Sequence, residues 1–200
     1  ARIAGAAPLQ APAAPVDCCE SGSTLRFLIP LAALTGRPVA FTGRGRLMQR
    51  PQSVYQELFA SQGLRFEQEG DTLTVAGPLR PGCFSLAGDV SSQFISGLLF
   101  ALPLLDGDSR LCLKPPVESR SYIEMTRASQ SRFGVASAWL DEYTLAVPGG
   151  QAYRPRDMAI EGDWSQAAFP AALGVLAGDV TVTGLEPGTL QGDAVILDIL

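Results

Sequence analysis

The chain has 200 residues, 46% of them apolar, with a net charge of -5 and no histidine. This length fits one ordinary domain or slightly more, with ample apolar material for a core. The acidic balance argues against a general nucleic-acid surface, which needs a basic stripe, and the lack of histidine excludes a histidine base or histidine metal ligand within the chain.

Residues 1–16 are apolar and proline-rich. They lack the charged start and unbroken apolar core of a signal peptide, and read as extended chain entering a domain. A helix is expected over 25–34, closed by Gly36, and then a strand over 39–42. A second helix follows over 54–60, with Val54–Leu58 and Tyr55–Phe59 at helical spacing and Gly63 as its stop. Residues 64–66 and 73–75 form a hairpin around Glu69-Gly70-Asp71.

The pattern then starts again. A strand over 84–87 ends at Gly88-Asp89, and a helix over 91–105 carries Phe94, Leu98 and Leu102 four apart. Pro103 should disturb its last turn. A strand over 110–114, a helix over 122–133 stopped by Gly134, and strands over 136–140 and 143–147 complete a β-α-β-α-β-β order. A third copy begins with a strand over 158–160, passes Gly162-Asp163 into a helix from Ser165, and continues through a strand over 180–183. Gln191-Gly192-Asp193 resembles a further junction, after which 194–200 starts a helix.

The Gly88-Asp89 and Gly162-Asp163 pairs mark a repeat of roughly seventy residues. Such units cannot bury a helix face and a sheet face alone, so stacked copies should share a core with the helices inside. The fold class is therefore α+β. Since the strand and helix expected before Leu25 are not found, the chain reads as truncated, with its first unit incomplete and a third copy cut off.

The longest apolar helix candidate, 94–105, falls short of the ~20 residues that span a bilayer, so no membrane partner and a cytoplasmic location are expected. The four cysteines, Cys18, Cys19, Cys83 and Cys112, have no CxxC spacing. They read as free, mostly buried thiols in a reducing compartment.

Three helix starts carry small polar residues: Ser21-Gly22-Ser23-Thr24, Ser91-Ser92-Gln93 and Ser165-Gln166. Free backbone N–H groups, the positive dipole end and hydroxyls there suit an anion. Plain capping is the competing reading. Arg44, Arg46 and Arg50 follow a strand end and can either clamp carboxylate or phosphate or form a solvated basic loop. Ser119 and Tyr122 stand between a strand and a helix, where Tyr122 can donate to a ligand or pack. Asp89 and Asp163 fit caps or loop braces better than proton carriers. There is no metal cluster, Walker loop or dinucleotide fingerprint. The residues by themselves point to a site for a small, multiply charged anion.

Three segments resemble the 5-enolpyruvylshikimate-3-phosphate synthase family: Asp17-Cys18-Cys19-Glu20-Ser21-Gly22-Ser23-Thr24-Leu25-Arg26-Phe27, Gly88-Asp89-Val90-Ser91-Ser92-Gln93-Phe94, and Glu161-Gly162-Asp163-Trp164-Ser165-Gln166-Ala167-Ala168-Phe169. Their order and spacing agree with the family's. The resemblance implies the enolpyruvyl transferase fold, two domains of three units each. In it, 1–155 is most of the N-terminal-side substrate-binding domain, and 156–200 is the third copy and the start of the crossing to the second.

It also implies transfer of the enolpyruvyl group of phosphoenolpyruvate to the 5-hydroxyl of shikimate 3-phosphate, with no metal or organic cofactor. The family is a target of glyphosate, which competes at the phosphoenolpyruvate subsite. By the same resemblance Ser91, Ser92, Gln93, Ser119 and Tyr122 contact shikimate 3-phosphate, and Gly22, Arg46 and Gln93 face phosphoenolpyruvate. Arg26 and Arg50 match recurrent arginines to which no ligand role is given. The catalytic aspartate and the lysines and arginines of the other domain have no counterpart here, so no catalytic residue is assigned. The implied whole protein is a monomer. The related UDP-N-acetylglucosamine enolpyruvyl transferases share the fold but lack the serine-serine-glutamine pocket, and an inactive anion-binding fragment is the other alternative.

Overall fold

A computed structural model describes residues 2–5, 8–118 and 120–200. The first unit comprises β1 (Val16–Asp17), α1 (Gly22–Ala33), β2 (Val39–Thr42), α2 (Ser53–Ser61), β3 (Arg65–Glu69) and β4 (Thr72–Ala76). The second repeats that order with β5 (Cys83–Ala87), α3 (Ser92–Ala101), β6 (Ser109–Lys114), α4 (Arg120–Arg132), β7 (Ala138–Trp139) and β8 (Thr144–Val147). Each unit makes one four-stranded sheet, in the orders β1-β2-β4-β3 and β5-β6-β8-β7. In both, the first two strands are parallel and the remaining pairs antiparallel. The first unit thus has its opening strand, contrary to the sequence expectation that the strand before Leu25 is missing.

The core lies between the sheets and is filled by helices, as the repeat predicts. Ile95, Leu98 and Leu99 of α3 are fully buried, and Leu25 and Ile29 of α1 likewise. A helix apolar on all sides belongs inside, and each buried leucine or isoleucine contributes about 1.5–3 kcal/mol. Contacts between α1 and α3 pair Ser23 with Gln93 and Phe27 with Phe100. Those between α3 and α4 pair Ser96 with Thr126 and Leu99 with Gln130. Residue numbers rise together along both pairs, so α1, α3 and α4 run parallel and present their N-terminal ends on one side.

Proline shapes this core twice. Pro30 lies inside α1 and has no N–H to offer the Arg26 carbonyl four residues back. The buried hydroxyl of Tyr55 donates to that carbonyl instead, at 2.8 Å, and lies 3.0 Å from the Phe94 carbonyl. Burial pushes the Tyr55 phenol well above its usual pKa, so it stays a donor. Pro103 ends α3 as expected, in a 3-10 turn (Leu102–Leu104). It leaves the Leu99 carbonyl to the buried Gln130 amide, 2.6 Å away. At Gly97 a Cβ would collide with both the Tyr55 hydroxyl and the Arg26 carbonyl, so only glycine lets α1 and α3 approach this closely.

Beyond Val147 the chain forms α5 (Trp164–Ala177), a 3-10 turn (Gly192–Val195) and α6 (Ile196–Ile199). The strands expected over 158–160 and 180–183 do not form. The Gly162 N–H donates to the Gly184 carbonyl at 2.8 Å, but no ladder develops, and β-propensity without cross-strand partners does not hold a strand. Phe169, Leu173 and Leu176 of α5 are exposed. No helix among the described residues is long and apolar enough to cross a membrane.

Candidate functional site

The N-terminal ends of α1 and α3 are joined by one side chain. Gln93, in the first turn of α3, donates through Nε2 to Ser23 Oγ at 2.8 Å, and its Oε1 accepts from Arg26 Nη1 at 2.9 Å. Arg26 lies 4.4 Å from the centroid of the Phe94 ring and donates to the Pro51 carbonyl at 3.3 Å. Its Nε is buried without a partner among the described residues. Desolvation lowers the pKa of Arg26, although a guanidinium stays charged in any case. Gly22 opens onto this cluster, since a Cβ there would lie 3.0 Å from Arg50 Nη1 and 3.6 Å from Gln93 Oε1.

The arginine loop is stitched to the segment that leads into α1. The Arg44 N–H donates to the Cys19 carbonyl at 2.6 Å, and its guanidinium pairs with Asp17 at 3.0 Å. The Cys19 N–H and the Arg44 side chain hold the Asp17 carboxyl below the usual carboxylate range. Gly45 adopts a left-handed φ of 57° beside the Glu20 carboxylate. Arg46 follows, exposed and free of ion pairs among the described residues. Gly22, Gln93 and the arginine loop therefore share one surface.

Capping accounts for part of the serine pattern. Ser21 Oγ accepts from the Thr24 N–H at 3.1 Å. Ser91 caps α3, accepting from the Gln93 N–H at 3.4 Å. Asp163, rather than Ser165, caps α5, and its hydrogen bond with Ser165 keeps its carboxyl below the ordinary value. Ser91 remains exposed at the parallel helix ends, and Ser92 beside it is half-buried. Ser119 lies outside the described residues. Tyr122 is partly exposed in the first turn of α4 and donates to Asp193 Oδ2 at 2.9 Å, which raises its pKa. Arg120 turns away, over the Trp139 ring at 4.1 Å.

The structure gives Ser23, Arg26 and Arg50, named from sequence without a ligand role in the resemblance, a place beside Gln93 and Gly22, and it adds Asp193 as the partner of Tyr122. Arg26 sits four positions after Gly22, so helical spacing was the one local sign that both face the same way. Two concavities lie elsewhere. One of about 440 Å³ is bounded by Cys83, Arg110, Leu140 and Pro148, and an apolar one of about 310 Å³ by Phe100, Phe133 and Tyr153. Among the described residues no group of three or more acidic or cysteine side chains could hold a metal ion.

A helix-end surface combining hydroxyls, an amide and arginines suits polyanions, and comparison with known proteins gives it a family. The model of the EPSP synthase (3-phosphoshikimate 1-carboxyvinyltransferase) family matches residues 2–200. The chain belongs to the EPSP synthase family. It is 46% identical over 187 residues to the 3-phosphoshikimate 1-carboxyvinyltransferase of Clostridium kluyveri, covering 92% of this chain and 44% of the relative. It is 42% identical over 185 residues to that of Brachyspira hyodysenteriae, again 44% of the relative. The chain thus spans less than half the length of these relatives. Among solved structures, an EPSP synthase from Acinetobacter baumannii superposes with a TM-score of 0.65 at 21% identity. That match covers 80% of this chain and 36% of the other, and supports the fold.

Proposed function

We propose that the whole protein of which this chain is part transfers the enolpyruvyl group of phosphoenolpyruvate to the 5-hydroxyl of shikimate 3-phosphate, releasing phosphate. The observation that carries this reading is Gln93, held between Ser23 and Arg26 and facing Gly22 and Arg50. One side chain thereby ties the serine-rich start of α3 to the start of α1, and Arg26 reaches on to the Pro51 carbonyl just past the arginine loop.

Both substrates are polyanions, and preorganised donors at parallel helix ends orient them and stabilise charge. Ser91, Ser92, Ser119 and Tyr122 hold shikimate 3-phosphate, Gly22 and Arg46 hold phosphoenolpyruvate, and Gln93 faces both. The hydroxyl adds to C2 of phosphoenolpyruvate, giving a phosphorylated tetrahedral intermediate, and loss of phosphate leaves the enolpyruvyl ether. Residues 1–155 are most of the N-terminal-side substrate-binding domain, and 156–200 are the third repeat copy and the start of the crossing toward a second domain that supplies the proton carriers. The whole protein works as a cytoplasmic monomer without a cofactor.

The test is phosphate release by the full-length protein with both substrates, beside a parallel assay with UDP-N-acetylglucosamine as acceptor. With phosphoenolpyruvate present, turnover is expected with shikimate 3-phosphate as acceptor and not with the nucleotide sugar. Turnover with the nucleotide sugar instead would transfer the assignment to the related enolpyruvyl transferases. The 200-residue chain by itself should show no steady turnover and weak or no binding of shikimate 3-phosphate by calorimetry.

A further inference from the structure

Two of the four thiols stand together on the face of the second sheet that points away from the helices. Along β5 the buried residues are Phe84 and Leu86, and along β6 they are Ser109, Leu111 and Leu113. The alternation turns Cys83 and Cys112 to the opposite face. The parallel register sets Cys83 against Arg110 and Ser85 against Cys112, so the two thiols are diagonal neighbours. Their sulfurs lie 3.1 Å apart. Both are free thiols, Cys83 exposed and Cys112 half-buried, so the sequence expectation of mostly buried thiols holds only for Cys18.

We propose that Cys83 and Cys112 are a modification site, a vicinal dithiol that closes to a reversible cross-strand disulfide by exchange with a small-molecule disulfide of the glutathione class. A disulfide bond is about 2.0 Å long, so closure needs an approach of about an ångström between side chains already in contact. Cys83 also lines the concavity of about 440 Å³ that contains Arg110. An anionic peptide disulfide can enter there and meet a guanidinium beside the attacking sulfur.

The step balances. The Cys83 thiolate attacks one sulfur of oxidised glutathione, forming a mixed disulfide and expelling one glutathione thiolate. Cys112 then loses its proton and attacks the Cys83 sulfur, expelling the second glutathione. Two protein thiols are oxidised, one small disulfide is reduced, and the two protons end on the two glutathione thiols. The hydrogen bond with Cys83 raises the pKa of Cys112, which suits the second, proximity-driven attack better than the first. Cys18 faces the core, and exposed Cys19 has no second thiol in contact among the described residues, so neither closes such a disulfide.

The experiment is exposure of the chain to graded mixtures of reduced and oxidised glutathione, followed by alkylation and mass mapping. The thiols of Cys83 and Cys112 should disappear together, with their peptides joined and dithiothreitol restoring both, whatever glutathione exposed Cys19 takes up. Cys112→Ser should stop at glutathione retained on Cys83, and the exposed-site variant Cys83→Ser should leave Cys112 alkylatable. The proposal is overturned if native protein accumulates glutathione on Cys83 with Cys112 still free. It is also overturned if both thiols stay free in oxidised glutathione alone, or if Cys83 is found joined to Cys19.

Discussion

The Tyr55 hydroxyl donates to the Arg26 carbonyl at 2.8 Å, at the position where Pro30 withholds the helical N–H. Tyr55 therefore completes α1 from another element. Tyr55→Phe keeps the ring and removes the donor, leaving a buried carbonyl unsatisfied. Unfolding in urea should show a loss of about 1–3 kcal/mol, with an unchanged denaturant slope.

Gln93→Ala would release Arg26 and Ser23 at once. In the full-length protein, turnover should fall about 100-fold, the scale for removing one preorganised polar group. Steady-state kinetics should show it for both substrates, because the side chain stands between the two helix ends.

Gly22→Ala would place a methyl 3.0 Å from Arg50 Nη1. The end of an arginine can yield, and alanine is favoured by about 1 kcal/mol in helices, so thermal unfolding should show no loss of stability. In the full-length protein, KM for phosphoenolpyruvate should rise, while shikimate 3-phosphate affinity, measured by calorimetry, should hold.

Arg46→Ala removes an exposed cation without an ion pair among the described residues. Stability should change by less than about 0.5 kcal/mol. In the full-length protein, phosphoenolpyruvate use should suffer far more than shikimate 3-phosphate binding, and equal losses for both would remove Arg46 from the subsite.

Burial, followed by the nearby Asp17, pushes the Cys18 thiol from 9.0 up to about 11. The native state holds this proton after the unfolded chain has released it. Its contribution to stability is intact below pH 9.0 and is lost as pH rises through about 11. Alkylation in native conditions at pH 8 should therefore label Cys19 and spare Cys18, a contrast that mass mapping reads directly.

The repeat was legible because turn residues and helical spacing are local: Gly70 marks the β3–β4 hairpin and Pro103 the end of α3. β1 was not, since two residues, Val16 and Asp17, carry no alternation to read. Val180–Thr183 misled in the opposite way, through β-propensity with no strand beside it. At the site, the helix starts could be found from sequence. The bond from Arg26 to Gln93 spans 67 positions and could not, because a long-range pairing leaves no periodic trace. Asp163, read from sequence as a cap or loop brace, does cap α5, its carboxylate accepting from two backbone N–H groups.

Three helices running the same way make this chain electrically lopsided: acidic as a whole at -5, yet with the positive ends of the helix dipoles on one side. A distant polyanion is repelled by the total, while a near one is drawn in by the local field. Salt separates these effects, because at physiological strength charges are screened beyond about 8 Å. Moderate salt should therefore quicken the approach of a polyanion to this chain even as it slightly loosens its final grip.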